Sequence, residues 1–101
     1  MHTILIPQIK QAVAAHCGIS VEDLDRRGRR RFHARPRQIS YLLSRELTGM
    51  SFPKIACLHA RMDHGTVLRG IRSIEKVVAR QGPTAALVEQ IRATLSATAE
   101  G

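Results

Sequence analysis

Within ten residues the chain places Cys57, His59, Asp63 and His64, residue types that bind transition metals. Structural zinc takes four ligands arranged as two close pairs, and there is no second pair here. On a helix Cys57 and His59, two residues apart, point about 200° away from each other. The spacing therefore argues against a metal, and no cofactor is expected. The same stretch supports a different chemistry. Asp63-His64-Gly65-Thr66 stands immediately ahead of an apolar-periodic run. A carboxylate can accept from cytosine N4, an imidazole can donate, and a threonine offers a hydroxyl and a methyl to a base edge. Ordinary helix capping by Asp63 uses the same residues, and spacing alone leaves both readings open.

A second concentration of chemistry is "RRGRRRFHARPR", Arg26 to Arg37, in which seven of twelve residues are Arg. The chain carries 16 Lys and Arg against eight Asp and Glu, a formal charge of +8. Thirteen of the 16 are Arg, and Arg presents a planar fork that suits phosphate and guanine edges. A GC-rich genome raises Arg over Lys but does not cluster it. The balance points to a polyanion, which means nucleic acid or an anionic membrane surface. The run has no amphipathic face, so the membrane is the weaker reading. A Gly-interrupted Arg loop can enter a narrow minor groove. Phosphate-loop, nucleophile-elbow and paired-carboxylate patterns are absent, so no enzyme is expected.

Helices must position these groups. With 101 residues, 44% hydrophobic and only 3% aromatic, the chain suits one domain with a core of Ile, Leu, Val and Ala. No strand-like alternation persists. A first helix is expected over about residues 3–17, ended by Gly18, then a short turn opened by the Ser20-Asp23 capping box. A second long helix is expected with Pro36 in its first turn, an apolar stripe of Ile39, Leu42, Leu43 and Leu47, and an end at Gly49. Ser51 should cap a short third helix with Ile55, Ala56 and Leu58 inward. A fourth should start at Asp63 or His64 and bury Val67, Ile71, Ile74 and Val78. Gly82-Pro83 should stop it, and Thr84 should cap a last helix bearing Leu87, Ile91 and Leu95. The expectation is all-α: five main helices plus a short turn, with a helix-turn-helix from about Ser51 to Arg80. Cys17 and Cys57 sit in apolar runs and are expected as buried free thiols. No signal peptide or membrane span is visible, which suggests the cytoplasm, at the nucleoid.

Three ordered pieces, "ARPRQISYLLSRELTGMS", "FPKIA" and "DHGTVLRGIRSIE", resemble the C-terminal DNA-binding domain of the bacterial replication initiator DnaA. The likeness runs from about Ile9 to Leu95. It implies a compact multi-helix domain with a helix-turn-helix, also of Trp-repressor kind, that binds double-stranded DNA at a short site, the DnaA box. It implies Arg29 in the minor groove with Arg31 beside it. Arg37, Gln38, Arg45, Thr48, Ser51 and Pro53 would lie along the phosphate backbone. Asp63, His64, Gly65, Thr66 and Val67 would face the major groove, with Arg61 close by.

The chain also departs from the family's pattern. His59-Ala60-Arg61-Met62 stands where the family usually has Phe-Gly-Gly-Arg, and Gly65 stands where it has Thr. Each altered base contact changes discrimination by about 1–3 kcal/mol, so a changed or relaxed site is expected. With 101 residues there is no ATPase module, which implies the DNA-binding part standing alone as a single domain, 1–101. The expected role is a replication or transcription regulator that acts as a monomer. The alternatives are a nonspecific nucleic-acid coat, or a protein that binds the replication initiator or another replication factor.

Overall fold

The computed structural model describes residues 4–26, 31–61 and 63–100, with residues 31, 32 and 98–100 described through their backbone alone. The elements are α1 (Ile6–Cys17), α2 (Val21–Asp25), α3 (Arg31–Thr48), α4 (Phe52–Leu58), α5 (His64–Ala79) and α6 (Pro83–Glu100), with no strand among the described residues. The expected five helices and short turn are present. Ser20 Oγ accepts from the Asp23 N–H at 2.9 Å, and Asp23 returns a bond to the Ser20 N–H, so α2 opens with the capping box. Gly18 ends α1 in the left-handed region at φ 70°.

α3 is the centre of the packing and touches α1, α2, α4 and α5, while α6 lies against α1 and α5. The core joins Ile6, Ile9 and Val13 of α1 to Leu24 of α2 and Ile39, Leu42 and Leu43 of α3. Ile55 and Ala56 of α4, Val67, Ile71 and Ile74 of α5, and Val88, Ile91 and Leu95 of α6 complete it. Gly70 lets α5 approach α3 closely: a Cβ there would stand 2.8 Å from Cδ2 of the buried Tyr41 ring.

Three expectations need correction. α3 begins at Arg31, not at Pro36, which lies buried inside the helix. Pro36 removes the N–H bond to the Phe32 carbonyl and crowds that carbonyl with its ring. The added turn is held from outside, since Arg35 donates to Thr84 Oγ1 at 3.1 Å and Arg37 donates to the Leu24 carbonyl at 2.7 Å. Pro83 does not stop α5 but opens α6, so the Thr84 hydroxyl is an acceptor for Arg35 rather than a helix cap. The two cysteines are free thiols but not buried, Cys17 being half-buried and Cys57 exposed.

Candidate nucleic-acid interface

α4, a turn and α5 lie where the helix-turn-helix is expected. Ser51 Oγ accepts from the Lys54 N–H at 3.3 Å to start α4, with Pro53 exposed in its first turn. Asp63 starts α5: its Oδ1 accepts from the Gly65 N–H at 2.8 Å. That N–H, then Arg69, holds the Asp63 carboxyl below its ordinary range. Asp63 and His64 are exposed, Gly65 and Thr66 half-buried, and Val67 fully buried. The expected reading residues therefore share one exposed turn, and Val67 is its anchor in the core. Capping and an exposed polar surface coexist, because Asp63 uses one oxygen as a cap and keeps Oδ2 toward Arg69, at 3.4 Å from Nη2.

The turn between the helices is supported from beneath. His59 is buried and stacks edge-on against Tyr41 with ring centres 4.9 Å apart. Its Nδ1 lies 2.8 Å from the Ile55 carbonyl, which only accepts, so Nδ1 carries the proton. Nε2 then accepts from the Ser40 hydroxyl at 2.6 Å. Burial pushes the His59 pKa down to about 4. Both ring nitrogens are thus committed within the fold, away from the exposed Cys57 and His64. Ala60 follows in the left-handed region at φ 58°.

Several expected phosphate contacts are engaged inside the protein. Arg37 is buried, with Nε on the Leu24 carbonyl at 2.7 Å and Nη2 on the Arg26 carbonyl at 3.1 Å. Arg61 reaches the same segment, donating to the carbonyls of Asp25 at 2.9 Å and Arg26 at 3.3 Å. Together they satisfy carbonyls left open at the end of α2. Arg45 is exposed, donates to the Met50 carbonyl at 2.6 Å and lies over the Phe52 ring at 4.7 Å. Thr48 donates to the Ser44 carbonyl and accepts from the Met50 N–H. Gln38 is half-buried on α3. Arg29 and Met62 lie outside the described residues, as does the Arg31 side chain.

Two positions escaped the sequence reading. Lys10 is nearly buried, with Nζ on Asp25 Oδ2 at 2.7 Å and on the Leu58 carbonyl at 2.8 Å, joining α1, α2 and α4. Its place on the apolar stripe between Ile6 and Val13 was the available signal. Arg69 is the other. Its exposed guanidinium stands 3.4 Å from Asp63 and 3.5 Å from Thr66 Oγ1. Four residues after Gly65, it lies on the same helix face as the exposed first turn of α5.

Residues 6–74 match the family described as the bacterial dnaA protein helix-turn-helix. The chain is similar to the chromosomal replication initiator protein DnaA of Symbiobacterium thermophilum, 40% identical over 94 residues, covering 93% of this chain and 20% of that protein. It is 35% identical over 94 residues to the protein of that name from a Ruegeria species, with 93% and 20% covered. For the Sphingopyxis alaskensis protein the values are 34% over 93 residues, with 92% and 20% covered. The chain thus spans about a fifth of the length of these relatives.

Proposed function

The chain belongs to the family of bacterial DnaA DNA-binding helix-turn-helix domains, and from that premise we propose that it recognises DnaA-box-like sites in double-stranded DNA and regulates replication or transcription there without hydrolysing nucleotide. The observation that carries this reading is the first turn of α5. Asp63, His64, Gly65 and Thr66 project there from a helix fixed by the fully buried Val67. In a helix-turn-helix this turn of the second helix meets base edges in the major groove.

The engaged arginines favour specific recognition over diffuse coating. Arg37 and Arg61 donate to backbone carbonyls, so two cations of the formal excess are framework rather than a mobile basic cloud. The family likeness adds Arg29 and Arg31 in the minor groove, and Gln38, Arg45, Thr48, Ser51 and Pro53 near phosphates. The chain acts as a monomeric single domain in this reading, because Ile91 and Leu95 of α6 are already in its own core.

The test is a titration of the protein with a box-containing duplex and a scrambled one at physiological salt. A specific binder should prefer the box by about a thousandfold or more. Equal affinities overturn the proposal. His64→Ala combined with Thr66→Ala should narrow that preference far more than it weakens binding to the scrambled duplex.

A further inference from the structure

We infer that Arg69 is a specificity-determining residue, reading a G·C pair across the space that Gly65 leaves open; this rests on the DNA-binding reading above. Residues four apart share a helix face, and helical side chains lean toward the N-terminus. The Arg69 side chain therefore lies back over Gly65, toward the reading turn. A Cβ at Gly65 would stand 3.0 Å from Arg69 Nη1 and 3.0 Å from Asp63 Oδ1. The guanidinium occupies the space where any other residue at position 65 would place its side chain.

The bonds that hold it there are weak. Arg69 meets Asp63 Oδ2 at 3.4 Å and Thr66 Oγ1 at 3.5 Å, and the two charged side chains are 70% and 66% exposed. An exposed ion pair of this length is readily exchanged for a better partner. The pair also has the polarity of one base-pair edge. In the major groove guanine offers the O6 and N7 acceptors, and its cytosine offers the N4 donor beside them. Arg69 supplies a fork for the first, and Asp63 Oδ2 an acceptor for the second, while Oδ1 stays on the Gly65 N–H. An A·T pair separates its acceptors, adenine N7 and thymine O4, by the N6 amino group, so it lacks the adjacent pair of acceptors that the fork fits.

The experiment is site selection from a random duplex library with the wild-type chain and with Arg69→Lys, Arg69→Ala and Gly65→Thr. It is followed by titrations on the selected duplex and on one with the chosen G·C pair replaced by A·T. The wild type should select a G·C pair whose replacement weakens binding about tenfold or more. Arg69→Ala should lose that preference and keep the rest of the selected site, and Arg69→Lys, which keeps the charge but not the planar fork, should weaken it. Gly65→Thr should displace the guanidinium and weaken the same preference. If Arg69→Lys and Arg69→Ala both select the wild-type site, the inference fails and the DNA-binding proposal stands. If Arg69→Lys matches the wild type while Arg69→Ala weakens all duplexes equally, Arg69 is a phosphate contact and the inference fails. If the wild type selects no site, the underlying proposal fails and this inference with it.

Discussion

At the level of single residues, the largest surprise is how much polar chemistry serves the scaffold. His59 is held neutral by burial, with a pKa near 4. The unfolded chain binds that proton below about pH 6.5. Between these values the unfolded state holds more protons, so stability falls as pH falls, by about 3 kcal/mol in all, and levels off near pH 4. Chemical denaturation from pH 7.5 to 4 should show this loss, and His59→Phe should remove most of its slope. A wild-type profile that stays flat would contradict the buried neutral ring. Arg37 makes a second case. Removing its buried guanidinium takes the side-chain donor from the Leu24 carbonyl and leaves the Arg26 carbonyl with Arg61 alone, so Arg37→Ala should cost about 1–3 kcal/mol of stability. In thermal melts that loss appears without any DNA present, which a purely phosphate-contacting arginine would not show. Neither role was legible beforehand, because a sequence reports that a residue is polar but not which carbonyl it will meet.

Among the elements, the legible parts were those with strong local signals. The stripe Val67, Ile71 and Ile74, the Ser20 box and the Ser51 and Asp63 caps all stand where periodicity and capping place them. The start of α3 was hidden, because its extra turn depends on distant partners such as Thr84 and Leu24, and a charged run with a proline reads locally as a loop. Two backbone positions can be tested. Ala60 sits at φ 58° where the family pattern has glycine, so Ala60→Gly should stabilise the fold by about 1 kcal/mol in denaturant titrations. Gly70→Ala should do the reverse, by about 1–3 kcal/mol, since the new methyl group meets the buried Tyr41 ring at the α3–α5 crossing.

For the whole molecule, the count of 16 basic side chains overstates the cations that face a ligand. Arg92 is bound by Glu46 and Glu89 between α3 and α6, Lys10 by Asp25, and Arg37 and Arg61 by carbonyls. Each phosphate neutralised by the protein adds about −0.9 to the slope of log K against log salt. The folded fraction of Arg37→Ala should therefore keep the wild-type slope in titrations from about 50 to 200 mM salt. A slope shallower by one phosphate would place Arg37 on the DNA. The exposed turn from Asp63 to Thr66 was legible in outline, whereas Arg69 became visible only once its guanidinium was placed over the bare backbone of Gly65. The hydrogen bond between Ser40 and His59 also limits how the domain can be recombined. A chimera that takes only the turn of a relative, with its Phe-Gly-Gly-Arg, strands the fully buried Ser40 hydroxyl and deprives the Asp25 carbonyl of Arg61. The transplantable unit is discontinuous: the turn, Ser40 on α3 and the end of α2 must be exchanged together.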